Sequence, residues 1–425
     1  MNAQGKDSKC IGLMAGVALA VASALVDMGL QFDPGGMIHW PGSEDLSFEL
    51  MRLLGVAQEG GSTIAECLLA ASRIDAKDND SWHREWRRMA DVSSDRANAA
   101  FRHGNLPTAQ SNWLRAISYY QASAFDLDPA DKRRHAALRT MRACAHRYLE
   151  HLTPAGEVVE IPWLDGHALE GYFLPAPAVS GKTPVVVCMG EPGHRKEEHL
   201  CKSARYARDR GMSLLAVDLF GSGTGARFEK IVGRPDLETA VGHVMDYLTT
   251  RDDIDESRIA ILGDGSGSSF VARGVALDRR FAAAVCDGGI WDLHERAFLM
   301  NRSASRSPDR AATGDYGRLA QNLACPVLIT LGARGWLEAR RVTELFDRLR
   351  ADDRDITLKI FQGSETAAAQ AHADNPTLAN EFIFDWLADR LGSISRQSRP
   401  GTHAQNFRYP SRPSGWPSQD DSSAK

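Results

Sequence analysis

Apolar residues return every three or four positions between Leu46 and Leu152, in "SFELMRLLGVAQ", "STIAECLLAAS", "SWHREWRRMADVSSDRANAAF" and "TAQSNWLRAISYYQASAF". That spacing predicts amphipathic helices, with Ser62 and Ser81 standing where N-caps would. After "TPAGE" the period changes. "VVEIPW" and "LEGYFLP" alternate around "LDGHA", which predicts a β-hairpin. Short apolar runs then follow, "PVVVCMG", "SLLAVDLFG", "RIAILGD", "FAAAVCDGG", "PVLITLG" and "ITLKIFQG", separated by amphipathic stretches. Wholly apolar strands alternating with helices imply a parallel sheet covered on both faces. From Ser393 the chain is rich in Ser, Pro, Arg and Gln with little to bury, which predicts a disordered tail. The pattern divides the chain into a lead-in over 1–45, a helical, cap-like domain over 46–152, an α/β domain over 153–392 and the tail over 393–425.

Charge changes this picture only by exclusion. A net charge of -5 and a pI near 6.2 provide no concentrated basic face, so nucleic acid is excluded as a partner. The seven cysteines are scattered, with no C-x-x-C pair and no metal-ligand spacing, so neither a metal nor a cofactor is predicted. Cys188 and Cys286 lie inside apolar runs and read as buried free thiols, which favours a reducing compartment. The apolar stretch from Ile11 to Val26 is short for a stable membrane span and rich in Ala and Gly, as a packed helix would be. A cytoplasmic location follows. The alternative is export through a signal peptide, with "ASA" at Ala22 to Ala24 as the cleavage site.

Candidate chemistry begins at "ILGDGSGSSF", where a buried strand runs into alternating glycines. This is the grammar of a nucleophile elbow, Gly-x-Ser-x-Gly, with Gly263 and Gly267 as the outer glycines. Further signatures flank it: "MGEPGHRKEEH", "DLFGSGTG", "CDGGIWDL" and "DNPTLANEFIFDWLADRLG". With helices placed before the sheet, the chain resembles the α/β-hydrolase superfamily. Within it, the chain resembles the esterases related to the fermentation-respiration switch protein and to 2,6-dihydroxypseudooxynicotine hydrolase. The resemblance covers Leu46 to Gly392. It implies an α/β-hydrolase fold, a mostly parallel doubly wound sheet with an N-terminal helical domain. It also implies cleavage of esters or carbon–carbon bonds in acyl-aromatic or 1,3-dicarbonyl compounds.

Aligned on that pattern, the nucleophile position is Gly265, and a frame shifted to Ser266 would crowd the turn with Asp264 and Ser268. The acid expected in "LGARGW" falls on Gly335, and Glu338 would have to reach back from the next helix. The histidine expected after Glu365 falls on Thr366, which leaves His372 as a surface or capping residue or as a surrogate base. A triad needs a nucleophile, a base and an orienting acid. Gly265, Gly335 and Thr366 together predict a degenerate triad. Oxyanion donors would be the backbone N–H groups of Ser266 and Glu191, although the Glu191 carboxylate would repel an oxyanion. Asp287, Trp291 and His294 follow a strand at its carboxyl end and are placed to line a pocket. His194, Lys196, Glu197 and Glu198 read as the start of a solvated helix, and Asp218 and Gly221 as a tight turn. "GSGTG" lacks both the P-loop lysine and the dinucleotide spacing.

Two functions follow. The first is a pseudoenzyme that binds a small acyl or aromatic ligand, or that pairs with a second copy of the chain or an active paralogue. The alternative is an active hydrolase or lyase that uses the surrogates Ser266, His372 and Glu338.

Overall fold

The computed structural model describes residues 31–32, 38–164, 167–177, 181–190, 195–218, 239–265, 267–289, 323–335 and 337–392. The stretch from Ile11 to Val26, Glu191, His194, Gly221, Ser266, Trp291, His294 and everything from Ser393 lie outside the described residues. Among those described, no helix is long and apolar enough to cross a membrane.

A two-residue ribbon, β1 (Gln31–Phe32) with β2 (Ile38–His39), precedes five helices. These are α1 (Glu44–Gly55), α2 (Ile64–Ala71), α3 (Asn79–Arg102), α4 (Leu106–Ser123) and α5 (Lys132–Glu150). Their apolar stripes bury Trp82, Trp86, Trp113 and Tyr119 against one another and against the sheet. The caps differ from the sequence reading. Thr63, rather than Ser62, accepts from the Glu66 N–H at 3.2 Å, and Asp78, rather than Ser81, caps α3. Both serines instead donate to carbonyls: Ser62 to Leu53, and Ser81 to Asp75 and Asp78. Each hydroxyl satisfies an orphan acceptor at a helix junction.

The sheet strands are β3 (Glu157–Leu164), β4 (His167–Leu174), β5 (Thr183–Met189), β6 (Ser213–Val217), β7 (Ile254–Asp264), β8 (Ala283–Asp287), β9 (Val327–Gly332) and β10 (Ile356–Phe361). They form one eight-stranded sheet in the order β10-β9-β8-β7-β5-β6-β4-β3. β3 and β4 form the expected antiparallel hairpin, β4 joins β6 antiparallel, and the remaining pairs are parallel. Between the strands lie α6 (Glu198–Lys202), α7 (Ala204–Asp209), α8 (Thr239–Thr249), α9 (Gly267–Leu277) and α10 (Ala339–Ala351), with α11 (Pro376–Leu391) last. Successive side chains of a strand point to opposite faces. Val186, Cys188 and Leu262 accordingly pack toward α6, α7, α11 and the N-terminal helices, whereas Val187, Ile259 and Ile261 pack toward α8, α9 and α10.

This strand order sets the place for chemistry. The chain leaves β5 toward β6 and then crosses back to the other side of β5 to form β7. Ligands in open α/β sheets bind at such a reversal, outside the carboxyl ends of the strands. The turn from β7 into α9, containing Gly265, lies at that end.

Candidate active site

The β7–α9 turn is tight enough to dictate its glycines. A Cβ on Gly263 would stand 2.6 Å from the Ser268 backbone, and one on Gly267 would stand 2.8 Å from the Gly190 carbonyl oxygen. Between them Gly265 has φ +58°, the left-handed conformation that glycine adopts without steric cost. Its N–H donates to the Asp287 carbonyl at 2.7 Å, and the Ser268 hydroxyl donates to the Gly263 and Asp287 carbonyls at 3.1 and 3.0 Å. The apex is thereby fixed against β8. It carries no side chain.

Sheet register then assembles a polar row. Asp264 of β7 pairs with Asp287 of β8, and Asp287 pairs with Thr330 of β9. One step inward the same register aligns Leu262, Val285 and Leu328, all in the core facing the N-terminal helices. Register partners in a parallel sheet project to one face, so Asp264, Asp287 and Thr330 end an otherwise apolar face with two carboxylates and a hydroxyl. Neighbouring strands lie about 4.8 Å apart. Two buried carboxylates at such a distance repel each other strongly unless each has a cation.

Each has one. His372 lies between β10 and α11, and its Nε2 donates to Asp287 Oδ1 at 2.8 Å while Thr330 Oγ1 donates to the same oxygen at 2.7 Å. His372 Nδ1 donates to the Ala367 carbonyl at 2.6 Å. With acceptors at both ring nitrogens, the ring satisfies both bonds only as an imidazolium. Burial drives the His372 pKa down, but the Asp287 carboxylate and the Ala367 carbonyl outweigh it against opposition from Lys202, and the net shift is upward. Lys202 Nζ donates to Asp264 Oδ2 at 2.5 Å. Its pKa also rises despite burial, held first by Asp264 and then by Asp287.

The loop carrying His372 is strained. Thr366, Ala367, Ala371 and His372 all have φ between +51° and +67°, and none is glycine. Such residues cost roughly 1–3 kcal/mol each and persist where the surroundings enforce them. The enforcing contacts include Asp374, which accepts from the Ala368 and Ala369 N–H groups at 3.1 and 2.9 Å, and the two bonds of His372.

Several sequence readings change. His372 is only 2% exposed and cannot be a surface residue. Thr366 is exposed and bonds its neighbour Glu365 and Asn375, away from Asp287. Gly335 closes a turn onto Gly332 at 2.9 Å, and Glu338 stands at the N-cap position of α10 without a side-chain capping bond. The acid paired with the histidine stands one strand earlier, at Asp287. Lys196, Glu197 and Glu198 are buried rather than solvated. Lys196 Nζ lies 2.8 Å from Asp218 and 2.9 Å from Glu170, and Tyr172 donates to Glu197 at 2.8 Å. Asp264, Lys202 and Thr330 were not singled out from sequence. The signal available there was an Asp closing two consecutive strand motifs, "ILGD" and "AVCD".

Among the described residues of this region the thiols are poor nucleophiles: burial pushes the Cys201 thiol up to about 11 and the Cys188 thiol up to about 12, and raises that of Cys286 as well. Among the described residues, no group of three or more His, Cys, Asp or Glu side chains could hold a metal ion.

The model of the FrsA-like esterase family matches residues 74–306, more than half of the chain. The chain belongs to the FrsA-like esterase family. The match ends before β9, so the FrsA-like domain contributes Asp264 and Asp287 while Thr330 and His372 come from beyond it. The hydrolyase poxO of Penicillium oxalicum is 31% identical over 291 residues, which cover 64% of this chain and 68% of poxO. The 20-hydroxy-prefusarin hydrolase FUS2 of Gibberella moniliformis is 34% identical over 263 residues, covering 60% of this chain and 62% of FUS2. Hydrolase LUC6 of a Fusarium species is 34% identical over 251 residues, and only 60% of its length is spanned. In fold, the FrsA-like chain is similar to 2,6-dihydroxy-pseudo-oxynicotine hydrolase, with a TM-score of 0.63 at 22% identity over 79% of this chain and 95% of that one. The architecture is therefore the α/β-hydrolase fold, and these relatives are named as two hydrolases and a hydrolyase.

Proposed function

We propose that this FrsA-like protein is an active hydrolase of carbonyl compounds that works without a serine ester. Acyl-aromatic esters and 1,3-dicarbonyl compounds are the substrate class. The observation that carries the reading is the buried His372–Asp287 pair, held on a strained loop beside an elbow whose apex is Gly265. Burying two charges and four left-handed residues opposes folding, and relatives named as hydrolases support a catalytic reason for keeping them. With both ring nitrogens protonated, His372 serves as an acid and not as the base of a triad. The Nδ1 proton, held by the Ala367 carbonyl, is the one that a substrate oxygen would take over. Asp287 keeps the ring charged and oriented.

The test is kinetic. His372→Gln should lower kcat/KM on an activated aryl ester or a 1,3-diketone by about 10²–10⁴-fold. Activity of the unmodified protein should fall as pH rises through the raised His372 pKa, because the acid form is then lost. Turnover unaffected by His372→Gln would refute the assignment. A ligand-binding pseudoenzyme is favoured by the missing apex side chain, and it would be established by micromolar binding of such a compound with no turnover.

A further inference from the structure

The serine-free hydrolysis proposed above requires that water be activated directly, and the second charged pair at the site is placed to do this. A cavity of about 30 Å³ lies between α1, α6 and the turn carrying His372, and its lining includes Asp264, Lys202, Glu198, Arg52, Ala371 and Ala373. A space of roughly 10–15 Å³ accommodates one water, provided that two to four polar partners surround it. The cavity thus has room for about two waters. Four of the six residues named are charged. Lys202 gives one of its three N–H groups to Asp264, and Arg52 Nη1 lies 3.4 Å from Glu198 Oε2. Ala371 and Ala373 flank His372 in sequence, so the cavity adjoins the turn that carries the acid. Asp264 immediately precedes Gly265, the elbow apex without a side chain.

We infer that Asp264 is a catalytic base, and that Lys202 and Asp264 together hold the water that attacks the substrate carbonyl. The inference rests on the serine-free hydrolysis proposed above. In the step, the water oxygen bonds to the acyl carbon as Asp264 takes a proton from it. The bond to the leaving alkoxide then breaks as the alkoxide receives the His372 Nδ1 proton, and exchange with solvent returns the proton on Asp264 to His372. One water is consumed, one acid and one alcohol are released, and the enzyme returns to its starting state. Acid and base stand on adjacent strands: Asp287 holds His372, and Lys202 donates to Asp264.

The experiment compares Asp264→Asn, the charge-neutral double variant Asp264→Asn with Lys202→Met, and His372→Gln against the unmodified protein on one aryl ester, with thermal melting of each. Both Asp264 variants should lose about 100-fold or more in kcat with little change in KM. The double variant, which leaves no unpaired buried lysine, should melt close to the unmodified protein. Azide, a nucleophile that needs no base, should restore acyl transfer to the Asp264 variants and not to His372→Gln. If the Asp264 variants keep activity within threefold while His372→Gln is inactive, the water assignment is wrong and serine-free hydrolysis stands. If activity is lost without azide rescue, Asp264 is structural and the assignment is again wrong. An inert unmodified protein overturns both.

Discussion

Removing the Asp287 carboxylate isolates the energetics of the site. Asp287→Ala deprives the His372 imidazolium and the Thr330 hydroxyl of their shared acceptor. Breaking one partner out of a buried pair costs about 3–5 kcal/mol, and the orphaned hydroxyl adds about 0.5–1.5 kcal/mol. Together these come to about 5 kcal/mol, several thousandfold in the folding constant. Asp287→Asn should cost less, about 1–2 kcal/mol, because a neutral His372 can accept from the new amide while Nδ1 still donates to Ala367. The pH dependence has a definite sign. The folded-state pKa of His372 is raised, so the stabilisation from its pairing is complete below the unfolded value of about 6.5. It is lost as pH rises through the folded value. The stability gap between the unmodified protein and Asp287→Asn should therefore be widest in mildly acidic buffer and should narrow as pH rises. Urea denaturation followed by near-UV circular dichroism at several pH values measures both quantities. An Asp287→Ala protein within 1 kcal/mol of the unmodified one, or a gap that widens with pH, would refute the ion-pair reading.

Other outcomes follow from the same geometry. Gly265→Ala should be folded but less stable by about 1–2 kcal/mol, the cost of a left-handed alanine, whereas Gly263→Ala should lose more because its Cβ would meet backbone at 2.6 Å; thermal melting ranks the two. Gly265→Ser should gain no measurable esterase activity on an activated ester, since both nitrogens of His372 are already donating. Lys196→Met leaves Asp218 and Glu170 without their buried cation, and denaturant titration should register a loss of about 3–5 kcal/mol.

What the sequence disclosed and what it hid divide along the range of the interactions. The hairpin at Val158 to Leu174, the apolar strands and the glycines at 263 and 267 are local patterns, and the resemblance to this esterase family rested on such motifs. The pairing of His372 with Asp287 spans 85 residues and depends on which strands are neighbours. The Asp264–Asp287–Thr330 row depends further on register, which a single-residue slip would destroy. The run from Lys196 to Glu198 misled for a related reason. Charged residues normally predict a solvated face, but here Glu170, Asp218, Tyr172 and Arg52 arrive from other elements to pair with them.

Serine-free hydrolysis meets its most direct test in intact-protein mass spectrometry after exposure to a fluorophosphonate, combined with turnover of an aryl ester before and after treatment. The account predicts ester turnover, no phosphonyl adduct and undiminished activity in the treated protein. A stoichiometric adduct on a serine that extinguishes turnover would contradict it, and loss of that adduct in Ser266→Ala would locate the nucleophile one residue beyond Gly265.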